Sequence, residues 1–190
     1  MTSPAQLAQQ ALYAAVRPRW SATLTEAQRT AWRAFTEQYP RKDQLGQKYV
    51  PCGIARFCGM NAISYKYAHR FLDDPPADLH CHQPTLVTIP TATSTPQALE
   101  IHIEGTLDAD EYWVLASILG CSAGTFYLTN RWSAIAFGAD ALPYTFNATA
   151  AYTATFGPLI AAAKIAARFQ IANTATGTIS RPIFTTTIVT

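Results

Sequence analysis

Six residues that can coordinate a metal ion lie between positions 52 and 82. They are Cys52, Cys58, His69, His80, Cys81 and His82. Thiolate sulfur and imidazole nitrogen are the ligands of tetrahedral zinc, but the gap between Cys52 and Cys58 exceeds the roughly two-to-four-residue spacing of zinc-binding cysteine pairs. In an extended segment His80 and Cys81 point to opposite sides, so the whole set cannot converge. We therefore expect no metal ion and no other cofactor. An alternative zinc site would use Cys52, Cys58, His80 and His82.

The cysteines also allow simpler roles. Cys58 falls on the apolar side of a predicted helix, where a small buried thiol is expected. Cys52 and Cys81 could form a disulfide in an oxidising compartment. Residues 80–82 would otherwise be exposed linker residues.

Local signatures of catalysis give no enzyme assignment. The carboxylate pairs Asp73–Asp74 and Asp110–Glu111 fall in predicted turns, where solvated side chains are expected rather than a general acid and base. The sequence contains no glycine-rich phosphate-binding loop, dinucleotide-binding fingerprint or HExxH zinc motif. We therefore predict that the chain is not an enzyme.

The chain has few charges. Charged residues make up 14% of its 190 residues, against about a quarter in typical soluble proteins. Such a surface suits a protein that is packed in an assembly or exposed outside a cell. The first residues, MTSPAQLAQQ, lack the basic and apolar regions of a signal peptide, and no apolar run has the length of a membrane span. We expect neither a signal peptide nor a membrane-spanning segment.

The charges are unevenly distributed along the chain. Residues 1–72 contain ten Lys or Arg and three acidic residues, whereas residues 73–190 contain four and nine. The basic half could bind an acidic protein surface or nucleic acid. Alternatively, the two halves attract each other, or the charges solvate separate modules.

A strongly amphipathic helix is predicted to begin after Thr25. Thr25 and Gln28 have the spacing of a capping box, in which each side chain bonds a backbone N–H of the first turn. Trp32, Phe35 and Tyr39 then recur at helical spacing. Three large rings on one stripe must be covered, either by the rest of the chain or by a partner. The predicted interface residues are Trp20, Arg29, Trp32, Arg33, Phe35 and Tyr39.

Two further helices complete a predicted three-helix base over residues 1–80. The first begins at Ser3, with Pro4 in the favoured first position, and ends before Pro18. The other extends over residues 54–72.

A polar residue, Asn61, lies on the apolar face of this last helix. A buried amide needs hydrogen-bond partners. We expect them in the backbone of residues 41–52, and a bound ligand is the alternative.

From Thr85 onward the apolar pattern has a period of two, as Leu99, Ile101 and Ile103 illustrate. Strands are predicted at 86–89, 99–103, 112–119, 126–130, 133–137, 151–156, 164–172 and 179–189. About seven or eight short strands separated by turns predict an antiparallel β-sandwich of the immunoglobulin or fibronectin type III kind. The predicted class is α+β, with a linker at 81–84 and the sandwich at 85–190.

Four aromatic residues of the predicted sandwich could form a ligand platform. They are Tyr112, Trp113, Tyr127 and Trp132. Exposed rings of this kind can stack on a sugar. The alternative is that they fill the core and the ends of strands.

A pattern of structural residues spans roughly residues 4–65. It comprises Trp20, Leu24, Thr25, Gln28, Arg29, Trp32, Phe35, Pro40, Asp43, Gly46, Gly53, Phe57 and Asn61. In this pattern the chain is similar to uncharacterised phage and prophage virion-associated proteins, although Cys58 and residues 65–69 lie outside it. The resemblance implies a structural particle component and assigns no catalytic residue.

The last part of the chain shows a second resemblance. A loop at Gly157-Pro158, a strand ending in 168–173, a turn at Gly177 and a threonine-rich final strand resemble a fibronectin type III-like or related immunoglobulin-like module. The resemblance covers residues 85–190. It implies a surface-displayed sandwich on a helical base.

These features lead us to expect a non-enzymatic structural component of a phage particle, such as a capsid decoration, cement or tail-accessory protein. It would be made in the host cytoplasm and located in the virion. Its partners would be viral capsid or tail proteins and further copies of itself, without a membrane. A carbohydrate- or cell-surface-binding module is the alternative, and nucleic-acid binding by the basic helices is a third hypothesis.

Overall fold

The computed structural model describes residues 4–43, 45–124 and 132–190. The described chain is mixed α+β, with most helices before residue 70 and mainly antiparallel strands after it. This confirms the predicted α+β class, while the finer description as a three-helix base with a fibronectin-like sandwich stays a prediction. None of the described helices combines the length and the apolar character needed to cross a membrane.

The chain divides into two compact units. The first contains the residues up to His80 and, in addition, Asn173–Thr178; the second contains Cys81–Ala172 and Ile179–Thr190. The division after His80 lies next to the predicted linker 81–84. No local pattern marks residues 173–178 as part of the first unit, so the sequence did not predict their place.

The first unit is mainly helical. Its elements are α1 (Pro4–Val16), α2 (Arg19–Ala22), α3 (Glu26–Gln38), the antiparallel pair β1 (Arg41–Lys42) and β2 (Lys48–Tyr49), and α4 (Gly53–Ala68). The sequence placed Trp20 in a link, whereas the structure places it in α2. Pro18 is the N-cap of this turn, and a proline is compatible with the start of a helix because the first backbone N–H groups have no intrahelical partner.

Helix α3 begins as the sequence predicts. The N–H of Gln28 donates to Oγ1 of Thr25 (3.2 Å), and the N–H of Thr25 donates to Oε1 of Gln28 (3.0 Å). This reciprocal pair satisfies two backbone donors of the helix start. Further along α3, the ring of Trp32 packs against Phe35 and Phe57, with centroid distances of 5.8 and 5.5 Å.

Helix α4 ends earlier than the predicted range 54–72. It stops at Ala68, and His69 caps it in the left-handed conformation (φ 51°). The chain then turns back, and the backbone groups of Leu72 and Asp73 bond to side chains instead of continuing the helix. These tertiary bonds replace the intrahelical bonds of a further turn.

The segment after α4 is held by three helices. Asn61 of α4 donates to the carbonyl oxygen of Leu72 (3.0 Å), and its Oδ1 accepts from the N–H of Leu72 (2.7 Å). Nε1 of Trp32 donates to the carbonyl oxygen of Asp73 (2.9 Å). Arg19 of α2 donates to both carboxylate oxygens of Asp73, at 2.8 and 3.2 Å. Polar contacts to Leu72 and Asp73 thus attach the segment after α4 to helices α2, α3 and α4.

These bonds correct the prediction for Asn61. Its partners are Leu72 and the carbonyl oxygen of Phe57 (3.1 Å), not the backbone of residues 41–52. The side chain is 0% exposed. Because its amide is used inside the unit, the alternative role in ligand binding has no support.

The second unit contains two antiparallel sheets and one helix among its described residues. The elements are β3 (Leu86–Ser94), β4 (Gln97–Glu104), β5 (Glu111–Ser117), β6 (Cys121–Ser122), β7 (Ser133–Gly138), β8 (Tyr144–Asn147), α5 (Thr149–Phe156), β9 (Ala163–Asn173), β10 (Thr178–Ile179) and β11 (Ile183–Ile188). The smaller sheet has the order β3-β4-β8. The larger has the order β10-β9-β5-β7, with β6 and β11 also paired to β9.

Both sheets contribute to one apolar core. Leu99, Ile101 and Ile103 of β4 are at most 1% exposed, as their alternation predicts. They lie in the same cluster as Trp113 of β5 and Phe169 of β9. The period-two pattern therefore identified a core face correctly.

One strand prediction is wrong and another is untested. Residues 151–156 belong to helix α5, not to a strand. Tyr152 and Phe156 are four residues apart, which is about one helical turn, and their ring centroids lie 5.0 Å apart. The short apolar stretch 151–156 fits the helical period as well as the strand period. In the structure it is a helix, which brings the rings of Tyr152 and Phe156 together on one side. The strand predicted at 126–130 lies outside the described residues.

Replacing Trp32 with alanine should lower the free energy of unfolding by about 3–5 kcal/mol, because removing a fully buried ring leaves a cavity. Urea denaturation measures the difference. Tyr13→Ala is the control, since Tyr13 is 40% exposed on α1 and surface changes usually stay within about 0.5 kcal/mol. Equal stabilities of the two variants would contradict the place of Trp32 in the core.

Replacing Asn61 with alanine should lower the free energy of unfolding by about 1–3 kcal/mol, because the buried N–H and carbonyl of Leu72 lose their partner. The exposed amide Gln10 on α1 provides the control Gln10→Ala. Both variants can be compared by urea denaturation. A loss no larger than that of the control would show that the Leu72 contact is dispensable.

Candidate functional site

The aromatic part of the predicted interface is mostly internal. Trp32 is 0% and Phe35 is 5% exposed. This corrects the interface prediction for these two residues, because a buried ring cannot contact a second molecule; the alternative of packing within the chain applies. Trp20 and Tyr39 are partly buried against the same core, and their contact with a partner stays a prediction.

The two predicted interface arginines share one carboxylate. Nε of Arg29 and Nη1 of Arg33 donate to Glu26, at 2.8 and 2.7 Å. These bonds, that from Arg33 first, lower the pKa of the Glu26 carboxyl. The Arg33 side chain is 52% exposed, and Glu37 is exposed four residues further along the same face. Glu26 and Glu37 therefore balance the charges of Arg29 and Arg33 on this face of α3.

The described members of the predicted aromatic platform do not form one surface. Trp113 is 2% exposed and lies in the core, which corrects its assignment to a platform. Tyr112 points to the other face of β5, because successive side chains alternate along a strand. Trp132 packs against Phe184, with 5.5 Å between ring centroids. Tyr127 lies outside the described residues.

The structure separates the cysteines from the histidines of the predicted zinc set. Cys58 is buried in the helical core, where burial raises the pKa of its thiol. Cys52 is exposed at the N-cap of α4. Cys52 and Cys81 are both free thiols, so the alternative disulfide is not formed. Neither Cys52 nor Cys58 belongs to a group of potential ligands that converges among the described residues.

The two candidate histidines form different hydrogen bonds. His80 is the last residue of the first segment of the first unit, and its carbonyl oxygen accepts a hydrogen bond from the hydroxyl of Thr176 (3.1 Å). His82 belongs to the second unit, and its Nδ1 lies 2.8 Å from Oε2 of Glu111. Glu111 is 1% exposed, so its expected place in a solvated turn is wrong. Its position directly before a run of apolar residues was the available signal.

The most prominent exposed feature of the first unit is the hairpin formed by β1 and β2. Leu45 at its tip is 84% exposed, more than any other large hydrophobic residue in the described ranges. Tyr49 and Val50 are 45% and 54% exposed. We call the following exposed set the basic hairpin: Arg41, Lys42, Leu45, Lys48, Tyr49 and Val50.

Local hydrogen bonds fix the tip of the basic hairpin. The carboxylate of Asp43 accepts from the N–H groups of Leu45 (2.9 Å) and Gln47 (2.8 Å). Gly46 has φ +80°, which favours glycine. The sequence predicted an irregular connection with one extended piece at 48–50, whereas an aspartate followed three residues later by glycine is a turn signal. The backbone N–H groups of Leu45 and Gln47 are therefore both held by Asp43.

A second arginine at the base of α4 adds to the positive charge near the hairpin. Arg56 is 5% exposed, and its Nε has no hydrogen-bond partner among the described residues. Burial is the main cause that lowers the pKa of Arg56, and the like charge of Arg41 lowers it further. Two guanidinium groups therefore repel each other at this site.

Comparison of the chain with protein-family models, curated proteins and solved structures gave no match.

Cys52 should be alkylated by iodoacetamide much faster than Cys58 at pH 8, because the thiolate is the reactive species and burial keeps Cys58 protonated and covered. Peptide mass spectrometry resolves the two sites. Equal labelling of both sites in the folded protein would contradict the burial of Cys58.

Proposed function

We propose that the chain is a non-enzymatic structural component of a phage particle, a capsid decoration, cement or tail-accessory protein that binds the major particle protein through its helical unit. The basic hairpin is the observation that supports this proposal best. It combines the exposed side chain of Leu45 with the exposed basic residues Arg41, Lys42 and Lys48, and the backbone N–H of Leu45 is held by Asp43.

The composition of the basic hairpin favours a protein partner. Interfaces are usually centred on a few apolar or aromatic side chains that lose their water, with polar groups around them. Leu45 and Tyr49 could supply such an apolar and aromatic centre, and Arg41 and Lys48 could supply the polar groups around it. The complementary partner surface would have an apolar pocket with acidic residues at its rim.

The exposed basic side chains of Arg41, Lys42 and Lys48 support an acidic partner further. Opposite charges across an interface accelerate association and select the partner. The net excess of basic residues in 1–72 acts in the same direction.

The particle itself is proposed from the sequence. The pattern from Trp20 to Asn61 resembles virion-associated proteins, and a charged fraction of 14% suits a subunit that is covered by neighbours. The immunoglobulin- or fibronectin III-like character of the second unit belongs to the same proposal.

Replacing Leu45 with aspartate should reduce incorporation into particles by about tenfold or more, because a charge at the apolar centre of an interface costs at least the ~1.4 kcal/mol that corresponds to tenfold. Particles are purified by density gradient from the strain that encodes the chain, and the chain is quantified by mass spectrometry. The control Leu7→Asp introduces the same charge on α1, where Leu7 is 55% exposed.

Absence of the wild-type chain from the particles would refute the proposed function. Equal incorporation of both variants would refute the role of the hairpin. Binding of the purified chain to DNA with a steep salt dependence, unaffected by Leu45→Asp, would favour the nucleic-acid hypothesis instead.

A further inference from the structure

The second unit buries a carboxylate beside a histidine. Glu111 opens β5 and is the only acidic side chain that is buried among the described residues. Its oxygens accept from the backbone N–H groups of His82 (2.9 Å) and Asp108 (3.1 Å), and Oε2 lies 2.8 Å from Nδ1 of His82. These contacts offset the cost of burying the carboxylate. They also fix the orientation of its oxygens.

Asp108 adds a second carboxylate to this pair. Its Oδ2 lies 3.6 Å from Nδ1 of His82, and the potential ligand atoms of His82, Asp108 and Glu111 all lie within 4.8 Å of one another. Two ligands of one zinc ion at ~2.0–2.2 Å can be separated by at most ~4.4 Å. The separations of 2.8 and 3.6 Å between Nδ1 of His82 and the oxygens of Glu111 and Asp108 already lie below this limit.

We propose that His82, Asp108 and Glu111 bind one divalent transition-metal ion, such as Zn²⁺ or Mn²⁺. One imidazole nitrogen and two carboxylates suit ions of this class. The side chains of Asp108 and His82 are 58% and 28% exposed, so the ion has access from solvent and water can complete its coordination. The buried Glu111 supplies the fixed ligand.

The ion takes the position of the hydrogen between Nδ1 of His82 and Oε2 of Glu111. The imidazole then binds in its neutral form, with its proton on Nε2. Glu111 keeps its bonds from the two backbone N–H groups, because an ionised carboxylate has about four lone-pair directions. The ion links the segment before β3 to the loop before β5. Its role is to stabilise the second unit, which makes this inference independent of the proposed function.

Electron paramagnetic resonance of free Mn²⁺ tests the site on the full chain without an affinity tag. Mn²⁺ is the first probe because it has little preference for thiolates, and four free cysteines are present. We expect one Mn²⁺ bound per chain, displaced by one Zn²⁺. Zinc should also raise the melting temperature, since a ligand that binds the folded state stabilises it.

Two variants and a matched control locate the ion. His82→Gln retains a side chain that can donate to Glu111, and Asp108→Asn retains the shape of the loop; each should weaken Mn²⁺ binding by about tenfold or more. The control His102→Gln alters a similar pair on β4, where Nε2 of His102 lies 3.2 Å from Oε1 of Glu104. That change should leave binding unchanged.

No saturable Mn²⁺ or Zn²⁺ binding by the wild-type chain would overturn the proposal. So would binding that persists at full strength in His82→Gln and Asp108→Asn. Loss of binding in both, with unchanged far-ultraviolet circular dichroism and an unchanged melting temperature in the absence of metal, would confirm it.

Discussion

The hydrogen bonds that Leu72 and Asp73 make with three helices are the contact on which the helical unit depends. A backbone that leaves a helix inside a core needs partners for its N–H and carbonyl groups. Asn61 supplies both for Leu72, and Trp32 supplies a donor for Asp73. The ring of Trp32 therefore packs in the apolar core, while its Nε1 bonds to the backbone of Asp73. These bonds are specific in direction, whereas the surrounding aromatic contacts tolerate sliding, so together they select one arrangement of the helices.

The second unit uses the same physical solution at another place. Gln97 donates to the carbonyl oxygen of Leu159 (3.0 Å) and accepts from its N–H (2.7 Å), as Asn61 does for Leu72. Glu111 likewise accepts from two backbone N–H groups. In each case a side chain forms the backbone hydrogen bonds that a neighbouring strand or a further helical turn would otherwise form. Glu111 differs because it carries a charge and faces His82, and this combination makes it a potential ligand as well as a structural residue.

The basic hairpin lacks such closure, which distinguishes it from the rest of the first unit. Asp43 accepts from the N–H groups of Leu45 and Gln47, but the apolar side chains of the hairpin face solvent. Because the side chain of Leu45 is exposed, it does not stabilise the isolated chain. At the interface that we propose, the same residues would be buried and paired.

The sequence by itself determined the features that depend on near neighbours. The capping box at Thr25 and the core face of Leu99, Ile101 and Ile103 follow from local hydrogen bonding and from side-chain periodicity. Only the tertiary structure decided where α4 ends, which backbone Asn61 binds and that Glu111 is buried. Residues 151–156 show the same limit, because a short apolar stretch fits a strand as well as a helix until its neighbours are known. The physical reason is that these outcomes depend on partners distant in the chain, and a local pattern states that a group needs a partner without stating which one.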